Sequence, residues 1–313
     1  MDAVAGLLDG PRARGAFVLR CSLDPPWALW IQDRAPLTVV AVLRGSACIV
    51  HEGDEARRLT AGDVAIALGP DPYLVADDPE TPVQVVIHPG GECRTPEGVE
   101  VKLMDFVGVR TWGNAADGET VMMCGSYQLE GEVPRRLLRA LPRLLVVEAG
   151  QLDTPLVPLL ADEIVKDAPG QQAVLDRLLD LLLIATLRAW FARPDAQAPG
   201  WYRAYADPIV GPALRALHSD PAAPWTVARL AELAGASRAA LARRFNELVG
   251  EPPMSFLTGW RIALASDLLL EPGATVGSVA AQVGYGSSFA LSTAFKRVRG
   301  MSPQQYRAAV TAT

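Results

Sequence analysis

The feature that most constrains the fold of this chain is an internal repeat between Thr226 and Arg307. Six positions of matched type recur fifty residues apart, in the pattern S-x3-L-x3-F-x4-G-x2-P-x2-[FY]. Upstream of each pattern a second match recurs at an offset of forty-nine residues. The second copy therefore has one extra residue between the two matches, in a turn, where a change of length costs little. Such a repeat indicates two copies of one supersecondary unit. The matched positions are Val227, Leu230, Ala231, Gly235, Ser237, Leu241, Phe245, Gly250, Pro253 and Phe256 in the first copy, and Val276, Val279, Ala280, Gly284, Ser287, Leu291, Phe295, Gly300, Pro303 and Tyr306 in the second.

Each copy has the residue pattern of a helix-turn-helix. Gly235 falls where a tight turn favours a residue that tolerates positive φ. The serine of each pattern is a natural N-cap, because its hydroxyl accepts a hydrogen bond from the free amides of the next helix. Leu241 and Phe245 recur at i and i+4, which predicts the buried stripe of that helix. Two units joined by a helix around residues 255–270 would present two recognition helices from one chain.

The second copy reads VGYGSSFALSTAFKRVRGMSPQQYR over residues 283–307. This arrangement resembles the DNA-binding domain of the AraC/XylS family of bacterial transcription regulators, and the resemblance covers about a third of the chain. It implies a regulator that binds double-stranded DNA with sequence specificity. Thr293 stands where the family usually has arginine, so we expect one DNA contact common in the family to be missing here.

Side chains that point away from the apolar stripe of each recognition helix are the candidates for DNA contact. Arginine can hold guanine, and asparagine adenine, with two hydrogen bonds, while apolar groups meet the thymine methyl. Basic side chains near the end of the second helix suit phosphates better. The predicted base contacts are Ala239, Ala242, Arg243, Asn246, Phe289, Ser292 and Thr293, and the predicted phosphate contacts are Ser237, Ser287, Lys296, Arg297 and Arg299. Arg244, Arg261 and His218 are expected to be surface residues.

The distribution of charge agrees with this assignment. The chain has a formal net charge of −6, yet residues 207–313 hold 10 basic against 7 acidic residues. The remaining residues hold 19 basic against 28 acidic ones. The positive charge that phosphate contact requires therefore lies with the repeat.

From residue 16 to about residue 129 the pattern changes to short runs rich in β-branched residues, separated by turn clusters. Residues 37–43, 47–51, 63–68 and 83–88 are predicted strands, which suggests an antiparallel sandwich or barrel. The segment from Gly45 to Gly62-Asp63-Val64 resembles the small cupin-type barrel that many AraC-family members use as a sensor. Pro26-Trp27, the stretch 76–79 and Cys124-Gly125 make it similar to one regulator-associated subtype of that barrel.

Residues 134–193 have a helical pattern, with an apolar stripe at Leu137, Leu138, Leu141, Leu144 and Leu145 and further helices over 155–165 and 171–191. The last helix is apolar nearly all round, so it needs cover on both sides. One side can rest on the barrel, and the other suits a partner subunit, which predicts a homodimer interface at Leu178, Leu182 and Ala185. Residues 2–10 are a candidate short amphipathic helix.

The expected fold class is α+β with two domains. An N-terminal cupin-like antiparallel β-barrel covers residues 1–132, and a helical dimerisation segment covers 133–193. A linker over 194–206 leads to a C-terminal all-α domain over 207–313, which holds two helix-turn-helix motifs.

The barrel interior has two open interpretations, a ligand pocket or a packed core. Trp27, Trp30, Tyr73 and Trp112 can line a pocket for a small-molecule effector, and each is equally explained as core. Cupin enzymes hold a metal through histidines, but residues 39–45 contain none, and Tyr73 occupies the position of the expected histidine in the second motif. No catalytic residue, metal or cofactor is therefore assigned. The four cysteines are read as small buried hydrophobic residues.

Two other functions remain open at this stage: a metal-dependent cupin enzyme fused to a DNA-binding domain, and a ligand-independent architectural DNA binder. The four cysteines are widely spaced without a C-x-x-C pair, and a chain of 313 residues needs no disulfides, so we expect a reducing compartment. The most apolar run, residues 178–187, contains Asp180 and falls short of the roughly 20 residues that a membrane span needs. We expect a cytoplasmic homodimer with DNA, an effector and RNA polymerase as partners, and no membrane.

Overall fold

A computed structural model describes residues 17–101, 105–108, 110–127, 138, 141–193 and 200–311. The predicted helix over 2–10 and Leu137 of the predicted leucine stripe lie outside the described residues. The described chain divides into two compact units. We call residues 17–127 with 141–193 the sheet unit, and residues 200–311 the helical unit.

The sheet unit contains thirteen described strands in two sheets. All four strands predicted above are present within one or two residues of their predicted bounds, because each combines β-branched residues with flanking turns. The first sheet has the order β10-β11-β1-β12-β3-β6-β13 and consists of β1 Phe17–Leu23, β3 Leu37–Arg44, β6 Val64–Leu68, β10 Asp105–Gly108, β11 Thr111–Gly113, β12 Thr120–Tyr127 and β13 Leu144–Val147. The second has the order β5-β4-β7-β2-β8-β9 and consists of β2 Ala28–Ile31, β4 Ser46–His51, β5 Arg57–Thr60, β7 Tyr73–Ala76, β8 Val85–Ile87 and β9 Cys93–Arg94.

The strands differ in two ways from the expected closed antiparallel barrel. The described strands pair as two separate sheets, and the pairs β1–β11 and β2–β8 are parallel. The main apolar cluster of the unit takes alternate residues from both sheets, for example Val40 and Val42 of β3 with Leu29 of β2 and Val75 of β7. This alternation places one face of each sheet in the core.

The segment 133–193, predicted to be helical throughout, contains a strand in its described part. Residues Leu144–Val147 form β13 and pair with β6 in antiparallel register, from Leu144 opposite Ala67 to Val147 opposite Val64. A continuous apolar run such as Leu-Leu-Val-Val fits a buried strand as well as a helix, and periodicity alone does not distinguish them. The helices that follow agree with prediction: α1 spans Leu156–Ile164 and α2 spans Gln171–Ala192.

Helix α2 packs on the outer face of the seven-stranded sheet. A Cβ atom added at Gly125 would lie 2.6 Å from a methyl carbon of Leu179, so this glycine lets the helix approach the strand closely. The Tyr127 hydroxyl donates to Asp180 Oδ1 at 3.3 Å. No helix among the described residues is long and apolar enough to cross a membrane.

The helical unit contains the eight helices listed here and confirms the sequence repeat. Each motif is a short helix, a glycine turn and a recognition helix, followed by a helix that opens on proline. The bounds are α3 Gly200–Ala204, α4 Val210–Ser219, α5 Val227–Leu233, α6 Arg238–Val249, α7 Pro253–Leu268, α8 Val276–Gln282, α9 Ser288–Arg299 and α10 Pro303–Thr311. The predicted linker 194–206 therefore includes a helix, α3, which packs against α6; residues 194–199 lie outside the described part.

Two apolar clusters flank α7, one for each motif. Phe245 of α6 meets Phe256 of α7 at 5.7 Å between ring centroids, in a T-shaped arrangement. The equivalent pair in the second motif is Phe295 and Tyr306, at 5.5 Å. The pattern positions F and [FY] thus form the same edge-to-face contact twice, a geometry that aromatic rings favour.

Candidate functional site

The recognition helices α6 and α9 begin with the same cap. The Ser237 hydroxyl accepts a hydrogen bond from the Ala240 amide at 3.1 Å, and Ser287 accepts from Ala290 at 3.2 Å. The turn before each helix contains a glycine in the left-handed region, Gly235 at φ 62° and Gly284 at φ 81°. Cap and turn therefore fix where each recognition helix starts, and they leave its first amides at the surface.

The predicted DNA-facing side chains lie on the outer faces of these helices. Leu241, Phe245, Leu291 and Phe295 are fully buried, which leaves the opposite face of each helix to solvent. Phe289 is 80% exposed, more than any other large apolar side chain among the described residues. The other members of the two faces are exposed or half-buried: Ala239, Ala242, Arg243, Asn246, Ser292, Thr293, Lys296 and Arg297.

Arg243 already has an ion-pair partner on its own helix. Its Nη1 lies 2.9 Å from Glu247 Oε1, with 70% of the arginine side chain exposed. Arg244, expected to be a surface charge, has a side chain that is 44% exposed and also pairs with the mostly buried Asp207 at 3.0 Å. The guanidinium of Arg243 is therefore the more exposed of the two, and Arg244 holds α6 to the start of α4.

Lys296 and Arg297 are exposed at the end of α9, where their charges also suit the negative end of the helix dipole. Arg299 differs from its prediction as a phosphate contact. Its Nη2 donates to Ser266 on α7 at 3.3 Å, and its guanidinium lies 5.8 Å from the centre of the Tyr306 ring. The Arg299 charge is thus directed into the helical unit and away from the outer face.

A cavity of about 470 Å³ lies between the two sheets of the sheet unit. This volume is within the range of ligand sites, roughly 300–1,000 Å³. Tyr73 and Trp112 line it as predicted, and the surrounding surface is mainly apolar. The remaining lining residues are Leu19, Cys21, Leu29, Ile31, Asp33, Thr38, Val40, Val75, Ile87, Gly90, Gly91, Cys93, Met122, Cys124 and Ser126.

One end of the cavity is polar. Thr38 Oγ1 and Ser126 Oγ are 3.1 Å apart on the paired strands β3 and β12. Burial raises the pKa of Tyr73 well above its ordinary value, so its hydroxyl stays protonated and can donate a hydrogen bond. Asp33 is the one charged residue in the described lining, and its Oδ1 accepts from the Ala35 amide at 3.0 Å.

Three of the four cysteines line this cavity: Cys21, Cys93 and Cys124. A hydrogen bond with Cys124 and burial raise the pKa of Cys21, and burial raises that of Cys93. Both stay protonated thiols at neutral pH, so they act as soft apolar lining. Sequence reasoning missed this group, because only the pairing of β1 with β12 brings Cys21 and Cys124 to neighbouring positions.

The comparisons with known proteins agree with both units. The family model described as Cupin matches residues 2–192, and the one described as Helix-turn-helix domain matches residues 230–309. A protein of Streptomyces lividans named as an AraC-like transcription regulator is 35% identical over 98% of this chain and 98% of its own length. A Streptomyces antibioticus protein of the same name is 34% identical, again over 98% of both chains. The chain belongs to the AraC family of transcription regulators.

Among solved structures, the DNA-binding domain of AdpA, described as a global transcriptional factor in complex with a target DNA, is similar to this AraC-family chain. It is 36% identical over 34% of this chain and 96% of that one, with a TM-score of 0.32. The match to the Helix-turn-helix domain model and the named relatives make the helix-turn-helix units the DNA-binding part of a transcription regulator, and the match to the Cupin model makes the sheets its cupin region.

Two of the predicted pocket residues of this AraC-family protein lie elsewhere. Trp27 is fully buried in the main core and is absent from the cavity lining. Trp30 packs on the other side of the six-stranded sheet, with Ala28 and Leu74, because residues 28 and 30 alternate with the inward-facing Leu29 and Ile31. The sequence predicts that alternate residues of this strand point to opposite faces of the sheet, but it does not show which face points into the core.

His218 and Arg261 of this regulator were expected at the surface, and both are engaged. The His218 ring packs edge-on against Trp260 at 4.6 Å and Phe256 at 5.4 Å between centroids, and its Nδ1 is hydrogen-bonded to Tyr205. Arg261 donates two hydrogen bonds to backbone carbonyls. Among the described residues no cluster of three His, Cys, Asp or Glu side chains can hold a metal ion.

Proposed function

We propose that this AraC-family protein reads DNA with α6 and α9 together, and that a small apolar molecule in the cavity between the sheets controls that binding. The observation that carries the first part is the duplicated, capped and outward-facing recognition helix. The second part is supported by the cavity with one polar end.

On α6, Arg243 is the proposed base-reading residue, with Asn246 beside it one turn further on. Ala239 and Ala242 leave room for a base edge or a thymine methyl. On α9, Phe289, Ser292 and Thr293 face the bases, while Lys296 and Arg297 hold phosphate. Ser237 and Ser287 cap the helices and still have a hydroxyl hydrogen to donate to phosphate. Arg299 is not included, because its guanidinium is directed at Ser266.

The test compares base reading with phosphate holding. Arg243→Ala should weaken binding to a DNA site selected by the protein by ~1–3 kcal/mol and relax preference at one base pair. Lys296→Ala should weaken binding to all sequences alike. It should also reduce the slope of log affinity against log salt concentration by about one, the value for one lost phosphate contact. Affinities for selected and scrambled duplexes, measured over a range of salt, separate the two. Equal losses on both duplexes for Arg243→Ala would remove its assignment as a base reader.

The cavity favours a neutral effector with an apolar body and one hydrogen-bonding group. Most of the lining is apolar, and the Tyr73, Thr38 and Ser126 hydroxyls offer partners at one end. Asp33 would repel a carboxylate or phosphate ligand, and no lysine or arginine is found in the described lining. The expected class is therefore a small hydrophobic alcohol, phenol or amide rather than an acid.

A matched pair of dyes tests this class. N-Phenyl-1-naphthylamine is neutral, and 8-anilino-1-naphthalenesulfonate has the same rings with an added anionic group. We expect the neutral dye to bind about tenfold more tightly, since an uncompensated charge at a desolvated site costs at least ~1.4 kcal/mol. Val40→Phe should reduce binding by filling the cavity, while Trp30→Phe on the outer side should not.

The two parts of the proposal fail separately. If neither dye binds the folded protein, the cavity is not a ligand site. If the neutral dye binds but leaves DNA affinity unchanged at saturation, this ligand lacks control over DNA binding. Tighter binding of the sulfonate would show that the charge argument is wrong while leaving the site itself in place.

We also propose a homodimer through the outer face of α2, with one change from the sequence prediction. Leu182 is fully buried within the sheet unit, so it cannot meet a partner. Leu178 and Ala185 remain candidates, joined by Val174 and Leu181, which are 45% and 50% exposed. Positions 174, 178, 181 and 185 have the alternating spacing of a two-helix seam, which suits α2 meeting its own copy.

The remaining proposals concern the role of the sheet unit, the protein partners and the cellular location. The relatives are named as transcription regulators, which supports a regulatory rather than an enzymatic role for the sheet unit. RNA polymerase is the partner that a transcription regulator on DNA would meet, and the cytoplasm is where it would do so. Detection of a stoichiometric metal in the purified protein, with turnover of a small substrate, would support the enzyme alternative instead.

A further inference from the structure

The loop that enters the first motif is held by an arginine of the connecting helix. Arg261 of α7 donates from Nε to the Pro221 carbonyl at 2.7 Å and from Nη2 to the Ala223 carbonyl at 2.8 Å. Both carbonyls belong to the loop between α4 and α5. The guanidinium is thus committed to backbone acceptors and is not available to hold DNA.

The same guanidinium also meets the turn of the second motif. Its central carbon lies 5.7 Å from the centre of the Tyr285 ring, at cation–π distance. At the neighbouring Gly284 an added Cβ would lie 2.5 Å from the Ala222 carbonyl oxygen and 2.8 Å from Arg261 Nη2. The entry loop of the first motif, Arg261 and the turn of the second motif therefore form one contiguous contact.

A second arginine provides an internal comparison. Arg307 of α10 donates to the Leu269 and Ala274 carbonyls, each at 2.7 Å. These carbonyls lie in the equivalent loop before α8, the first helix of the second motif. Arg307 and its acceptors thus hold the entry loop of the second motif, as Arg261 holds that of the first. The Arg261 clamp in addition reaches from one motif to the other.

We propose that Arg261 fixes the distance and rotation between the two recognition helices, so that the helical unit accepts its two DNA segments at one spacing only. Burial lowers the pKa of Arg261, which agrees with a desolvated guanidinium at the centre of the junction. Helix α7 contributes residues to the apolar clusters of both motifs, and the contacts of Arg261 with the entry loop and with Tyr285 oppose rotation of one motif relative to the other. The inference rests on both α6 and α9 entering DNA, as proposed above.

The experiment uses the full-length chain and a duplex that it selects from a random library. Single base pairs are inserted or deleted between the two protected segments, which rotates them by ~34° per step. We expect the wild-type protein to lose affinity at least about tenfold for one step, a loss similar to that of a mismatch. Arg261→Ala should flatten this profile: weaker binding at the optimal spacing, near-equal binding at neighbouring spacings, and unchanged affinity for the isolated segment that α9 reads.

Arg307→Ala is the matched control. It should weaken binding at every spacing, including binding to the segment read by α9 alone, without changing the shape of the profile. Arg261→Lys keeps the charge with fewer directed donors and should give an intermediate profile. If Arg261→Ala does not fold, judged by circular dichroism, Tyr285→Ala removes the ring contact while leaving the carbonyl hydrogen bonds, and it should also broaden the profile.

The outcomes separate this inference from the proposed function. A single protected segment in the wild-type footprint would remove the two-helix reading on which the inference rests. Two protected segments with an equally sharp profile in Arg261→Ala, or in Tyr285→Ala where the first variant does not fold, would overturn the role of Arg261 and leave the two-helix reading in place.

Discussion

The ion pair between Arg243 and Glu247 on the first recognition helix leads to a prediction about DNA affinity. Replacing the acidic partner Glu247 with glutamine should make the protein bind DNA more tightly. In the free protein Glu247 holds the Arg243 guanidinium at 2.9 Å and lies 3.6 Å from Arg244. Arg243 must leave this carboxylate before it can reach a base.

The magnitude follows from two small terms. An exposed i,i+4 ion pair is worth about 0.3–0.5 kcal/mol, which binding must give up. A carboxylate that remains ~10 Å from a phosphate adds about 0.4 kcal/mol of repulsion in water before screening. Together these predict a gain of up to ~1 kcal/mol, or about fivefold in affinity, for Glu247→Gln at low salt. The gain should shrink as salt rises, because screening weakens both terms.

Fluorescence anisotropy with a labelled duplex, at several salt concentrations, measures this effect. Glu271→Gln is the matched control, since it removes one negative charge from the loop after α7 rather than from a recognition helix. The same gain in both variants would show only a change of net charge. A loss of affinity in Glu247→Gln would refute the reasoning, because it would mean that Glu247 orients Arg243 for its base contact.

Three further predictions concern assembly and stability. Leu181→Glu should give a folded monomer that binds a single DNA site normally but loses the higher affinity of the dimer for tandem sites. Leu182→Glu should instead unfold the sheet unit. A Leu181→Glu variant that is folded and still dimeric would place the interface elsewhere. Burial alone would raise the pKa of Asp207, but hydrogen bonds from the Val210 and Ile209 amides and from Arg244 outweigh it and hold this pKa below its ordinary value. The stabilisation is therefore present above the unfolded pKa, ~3.9, and is lost as the pH falls through the folded value. Thermal melts should show Asp207→Asn less stable by up to about 1 kcal/mol at pH 7, because asparagine still accepts from the amides but loses the ion pair with Arg244. The difference from wild type should shrink in acid, and a difference constant with pH would contradict this. Phe245→Ala should destabilise the helical unit by ~3–5 kcal/mol in chemical denaturation, and a loss below 1 kcal/mol would show that the T-shaped pair is dispensable.

The repeat made the helical unit predictable in detail. Serine caps, glycine turns and apolar stripes are local signals, and each reports on residues within a few positions of itself. The roles of Arg244 and Arg261 were missed because their acceptors, Asp207 and the Pro221 carbonyl, lie 37 and 40 residues away. The sequence around an arginine therefore does not show whether its side chain lies free on the surface or binds distant acceptors.

The sheet unit was less predictable because its pairing is long-range. Strand β13 completes the first sheet next to β6, although about 80 residues separate Val64 from Leu144. Which face of a strand points into the cavity also depends on strand pairing. The sequence therefore could not show that Tyr73 and Trp112 line the cavity while Trp27 and Trp30 do not. Leu182 was misplaced for a related reason: a helix that is apolar all round does not reveal which stripe the sheet covers.

The two glycine turns show that the copies of the motif are not interchangeable. An added Cβ at Gly235 meets nothing within 4 Å, so asparagine, which tolerates positive φ, can replace this glycine at modest cost. At Gly284 the same replacement would collide with the backbone of Ala222. An engineer who wants new operator specificity can therefore graft foreign turns and recognition helices into the first position with few constraints. A graft into the second position must retain a glycine there and an aromatic ring after it.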